Sequence, residues 1–104
     1  MSNYWNNALM VPAPELIATM TGGSVLIGTL LYTPVKIVLD SQSTVSIVLS
    51  ISERGLGPLI SWKTFTPGEA LILDDDLYTL PVGTTFYGVG ASGNFSISYF
   101  YSIN

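Results

Sequence analysis

Short runs of β-branched and aromatic residues, separated by turn signals, constrain this chain more than any other feature. The signals are "TGG" from residue 21, "TP" from 33, "DSQS" from 40, "ERGLGP" from 53, "TPGE" from 66, "DDD" from 74, "LPVG" from 80 and "ASGN" from 91. A spacing of about 8 to 12 residues between such signals is that of a sandwich or barrel. The runs themselves alternate with period two. In "TVSIVLSIS" (44–52), Val45, Ile47, Leu49 and Ile51 share one face and hydroxyl residues the other. In "NFSISYFYS" (94–102), Phe95, Ile97, Tyr99 and Tyr101 face away from Ser96, Ser98 and Ser102, and Phe100 interrupts the polar face. Strands place alternate residues on opposite sides, so one face of each run is predicted to be core.

The sequence therefore predicts an all-β chain: one antiparallel β-sandwich, jelly-roll-like, of seven to eight strands over residues 15–104. "TTFYGVGA" (84–91) is expected to pair with 94–102 as a hairpin through "SGN", with Gly88 and Gly90 leaving room for large neighbours. "PELIATM" (14–20) fits a single helical turn or a first strand equally well. In "LISWKTF" (59–65), Ile60, Trp62 and Thr64 share one face, and Trp62 is read as core. Residues 1–14, rich in Asn and carrying Pro12 and Pro14, are predicted to form an extended N-terminal arm.

Composition then limits function. Charged residues make up 10% of the 104 residues, against about 25% in an ordinary domain. A surface with three cations and seven anions leaves hydroxyl, amide and apolar groups to cover it, which predicts burial in an assembly. The net charge of −4 excludes the clustered Lys and Arg that nucleic-acid binding requires. With no cysteine and no histidine, thiolate chemistry, disulfides and the commonest general base are missing. The longest apolar run, "VLIGTLLY" (25–32), is far short of the roughly 20 residues of a spanning helix, and the N-terminus has no basic leader; no membrane role and no cleaved signal are expected.

Asp74, Asp75 and Asp76 are consecutive, whereas a calcium loop alternates its ligands and closes with a glutamate, so the cluster is read as a turn rather than a metal site. Scattered carboxylates in so small a chain give no cleft, so neither an enzyme nor a cofactor is expected. "SERGLGP" lacks the lysine of a phosphate loop. What remains are partner contacts: Tyr4, Trp5, Leu9, Met10 and Val11 in the arm, Arg54 beside Glu53, and Phe100 among serines.

Residues 67–101, "PGEALILDDDLYTLPVGTTFYGVGASGNFSISYFY", about a third of the chain, resemble the C-terminal part of small β-sandwich virion proteins of tailed bacteriophages. A Pro-Gly-Glu turn, an apolar strand, a Leu-Pro-x-Gly turn and a closing hairpin carry the resemblance. It implies a capsid decoration (cement) protein, acting as a homo-oligomer on the major capsid protein in a virion assembled in the host cytoplasm. A neck or tail component is the alternative within that class, and a glycan-binding sandwich module is the alternative outside it.

Overall fold

The structure, a computed structural model, describes residues 10–52, 60–74 and 80–102. They form nine strands: β1 (Met10–Pro12), β2 (Leu16–Thr19), β3 (Ser24–Thr29), β4 (Pro34–Ser41), β5 (Ile47–Ser52), β6 (Ile60–Phe65), β7 (Ala70–Leu73), β8 (Thr85–Val89) and β9 (Asn94–Ser102). All pairings are antiparallel. One sheet runs β2-β9-β4-β7, with β1 extending the β2 edge along β9, and the other runs β3-β8-β5-β6. From β2 to β9, every connection except β5–β6 passes from one sheet to the other. Apart from the added β1, two facing four-stranded sheets wound this way are a jelly roll.

The inward alternation of both sheets builds the core. Ile37, Leu39, Phe95, Ile97 and Tyr99 come from the first sheet and Ile27, Ile47, Leu49, Phe65 and Phe86 from the second, all buried. Phe65 and Phe95 meet edge to face across the gap, with centroids 4.9 Å apart. The buried hydroxyl of Tyr99 accepts a hydrogen bond from the Leu31 amide at 2.9 Å, which ties the β3–β4 bend to β9.

The loops gather at the two ends of the sandwich. At one end, Met20 and Gly22 amides donate to Gly93 and Gly90 carbonyls, the Gly68 amide to Ser43, and the Gln42 amide to Asn94. Gly93 has φ 91°, and a Cβ there would lie 2.6 Å from Ser43 Cα, so both conformation and space require glycine. At the other end, Leu30 and the 83–84 turn exchange backbone hydrogen bonds of 2.8 and 2.9 Å.

Several sequence expectations change. β8 and β9 do not form a hairpin: β8 pairs with β3 and β5, and β9 with β1, β2 and β4. The "SGN" turn instead carries the chain from one sheet to the other. "PELIATM" is strand β2, its Leu16 and Ala18 facing the core. Gly88 and Gly90 do leave room: Cβ atoms there would sit 2.8 Å from Met20 Sδ and Ile47 Cγ1.

The reading of "LISWKTF" changes in part: Trp62 does pack on the core, but Ile60 and Phe65 exchange places. Phe65 is the fully buried residue, whereas Ile60 is exposed. A bulge between Leu49 and Ser50 leaves Trp62 as the extra residue on β6, and this turns its ring inward against Phe86 at 6.1 Å. Trp62 packs on the core but is only half buried. Trp62→Ala is therefore expected to fall at or below the low end of the about 3 to 5 kcal/mol of a buried Trp. Chemical denaturation measures this, and a loss as large as that of a fully buried aromatic would show the half-buried placement to be wrong.

Candidate interaction surface

The residues predicted to contact partners separate into three groups. Tyr4, Trp5, Leu9 and Arg54 lie outside the described residues, as do Asp75 and Asp76. Met10 and Val11 belong to β1, half buried and in register with Ser102 and Tyr101 of β9. The last residues of the expected arm thus add a strand to the chain's own sandwich, and the Ala13 amide continues the pairing to the Tyr99 carbonyl at 2.9 Å. Phe100 faces outward as expected but is half buried, with the Lys36 ammonium 5.8 Å from its ring centroid. A cation over an aromatic face satisfies both groups, so a neighbouring side chain already covers part of this ring. Asp74 is exposed immediately after β7.

A different set of residues carries the apolar exposure. Ile17 on β2, Leu26 on β3, Ile60 on β6 and Ile72 on β7 are 50%, 56%, 62% and 59% exposed. Each of these strands lies at an edge of its sheet, and together they form the two flanks of the sandwich. On one flank β2 and β3 are joined by loop 20–23, and the Leu16 side chain fills the gap above Gly28, where a Cβ would come within 2.7 Å of Leu16 Cδ2. On the other flank β6 and β7 are joined by the tight turn 66–69. There the Glu69 carboxylate accepts hydrogen bonds from the Thr66 amide at 2.9 Å and the Thr66 hydroxyl at 3.3 Å.

Edge strands offer backbone donors and acceptors to another chain, and proteins usually blunt them with charge or proline. Here the charge is sparse. Lys63 is the one cation on β6, and its ammonium sits 5.6 Å from the Phe65 ring centroid. β7, "ALIL", has no charged residue. A third apolar area, Leu31, Tyr32, Val35 and Val82, occupies the end of the sandwich where β3–β4 and the 83–84 turn meet.

No family model matches the chain, and no curated protein sequence matches it at a significant level. Among solved structures, the fold is similar to that of a protein of the Bacillus endospore appendages, described as a novel family of disulfide-linked pili. The likeness has a TM-score of 0.55 and 12% identity, over 91% of this chain and 89% of that one. At that identity it concerns the fold.

This finding corrects the expectation of a phage capsid decoration protein: the solved structure that shares the fold is described as a bacterial appendage protein, not as a virion component. The motifs behind the phage resemblance have a local cause. "TPGE" is a turn closed by Glu69 on Thr66, with Gly68 at φ 72°. "LPVG" is a turn in which the Thr84 amide donates to the Pro81 carbonyl, with Gly83 at φ 96°. Both are what strands entering and leaving a jelly roll need, whatever the protein builds.

Proposed function

We propose that this chain is a structural, non-enzymatic subunit of a bacterial filamentous appendage, built by repetition of the chain itself. The observation that carries the reading is the exposure of Ile17, Leu26, Ile60 and Ile72, one large apolar side chain on each strand of the two flanks. The likeness to an appendage protein over nine-tenths of the chain suggests which kind of assembly such flanks serve.

The β2/β3 flank of one copy is set against the β6/β7 flank of the next, so that strand pairing extends the sheets while the four apolar side chains leave water. Two different flanks make a heterologous contact, and repetition of such a contact gives an open filament unless rotation happens to close a ring. The similar pili are described as disulfide-linked, whereas this chain has no cysteine. Its cohesion would therefore rest on burial and hydrogen bonding, multiplied along the polymer.

The test is assembly of the purified chain at rising concentration, followed by sedimentation and negative-stain electron microscopy, with and without dithiothreitol. Filaments with a subunit repeat, unchanged by reductant, are expected. A chain that stays monomeric at every concentration would remove the proposal.

A further inference from the structure

Tyr32 lies in the bend between β3 and β4, and Tyr101 near the end of β9. Their rings are stacked, with centroids 3.9 Å apart and planes 11° from parallel. The backbone brings them together: Tyr101 is in register with Pro34, two residues beyond Tyr32. Desolvation, reinforced by Tyr32, raises the Tyr101 phenol above its ordinary value of 10.0. Two near-parallel rings at this separation lie in van der Waals contact, so the two phenols are held side by side. Tyr32 is 40% exposed, so the pair opens to solvent.

We propose that Tyr32 and Tyr101 are a site of oxidative cross-linking, at which a peroxidase using hydrogen peroxide joins the two rings as dityrosine. The peroxide removes one electron and one proton from each phenol and is itself reduced to two waters. The two phenoxyl radicals couple through carbons ortho to their oxygens, forming one carbon–carbon bond. Each of those carbons then loses its hydrogen as a proton while the phenolic oxygen regains one, and both rings return to aromaticity. The product lacks two hydrogen atoms and has gained one bond.

Holding the reactants in contact converts an encounter between radicals into a step within one molecule, the usual advantage of proximity. The coupled rings must swing from stacked to edge-joined, and Tyr32 can follow because it sits in a bend rather than in a strand. The bond would fasten the β3–β4 bend to the last strand and close a loop over most of the chain. Such a closure restricts the unfolded state as a disulfide does, in a chain that has no cysteine to form one.

The experiment treats the dilute purified chain with a haem peroxidase and hydrogen peroxide. The expected product is monomer-sized, lighter by two hydrogen atoms, fluorescent as dityrosine, raised in melting midpoint, and linked between Tyr32 and Tyr101 in peptide mapping. Tyr32→Phe and Tyr101→Phe keep the stacked ring and the fold, confirmed by unchanged circular dichroism, but each should abolish that product. The proposal is overturned if no product forms, if the intramolecular link maps to other tyrosines or persists in either variant, or if only linked oligomers appear. Because the reaction takes place within one dilute copy, its outcome is independent of filament formation.

Discussion

Phe95→Ala is expected to lower stability by about 3 to 5 kcal/mol, a large part of the roughly 5 to 15 that holds a domain of this size. Phe95 is 0% exposed and projects from β9, the strand that pairs with β1, β2 and β4 and so organises its sheet. Its ring meets Phe65 edge to face at 4.9 Å, and this contact joins one sheet to the other. Truncation removes the apolar area, the aromatic pairing and the filling of the gap between sheets together. Close-packed sheets tied by loop hydrogen bonds at both ends cannot collapse into the space. Phe65→Ala should cost a similar amount, and the double variant less than the sum, since the second truncation finds the pair already broken. Urea denaturation of the four proteins measures this; a loss below about 1 kcal/mol for Phe95→Ala would mean that the gap between the sheets is filled in some other way.

That core was legible in the sequence because period two reports it directly. Phe95, Ile97 and Tyr99 stand on one face of "NFSISYFYS" and all three are buried. The same pattern in "TVSIVLSIS" placed Ile47 and Leu49 correctly, although the strand begins only at Ile47 and leaves Val45 in the preceding bend. Alternation does not say which strand pairs with which. Nearness in sequence suggested a β8–β9 hairpin, but the jelly roll sends β8 and β9 to opposite sheets, and only contacts distant in sequence decide that. Nor does alternation survive a bulge, which is why Trp62 and Phe65 come to lie on the same side.

The exposed apolar residues of the flanks were not legible in place. A chain with so few charges raises the expectation of a covered surface without saying where. Which apolar residues remain outside depends on which strands become edges, a property of the topology. Leu26 is the second residue of "VLIGTLLY", the most apolar run in the chain, and nothing local separates it from its buried neighbour Ile27. Phe100 was conspicuous for the opposite reason. An aromatic among serines looks unpartnered in sequence, yet Lys36, in register with it on β4, reaches its ring.

Ile60→Lys combined with Ile72→Lys is expected to abolish growth at the β6/β7 flank while leaving the subunit folded. Both side chains are more than half exposed, so their replacement should alter monomer stability by no more than about 0.5 kcal/mol. In an assembled flank each would contribute up to about 1.5 to 3 kcal/mol through burial, and lysine both forfeits this and brings a charge that must be desolvated. A heterologous contact makes a sharper demand than simple loss of assembly. The variant keeps its β2/β3 flank intact, so it should add to a wild-type end that presents β6/β7 and then offer the next subunit nothing to pair with. Small amounts mixed into wild-type protein should therefore shorten filaments well out of proportion to their fraction. Adding Ile17→Lys and Leu26→Lys spoils the second flank as well, and that variant should be inert in the same mixture. Filament lengths from electron microscopy across a mixing series separate the cases. If the Ile60/Ile72 variant polymerises like wild type, the flanks are not the contact; if both variants merely dilute the wild type, the contact is not between unlike flanks.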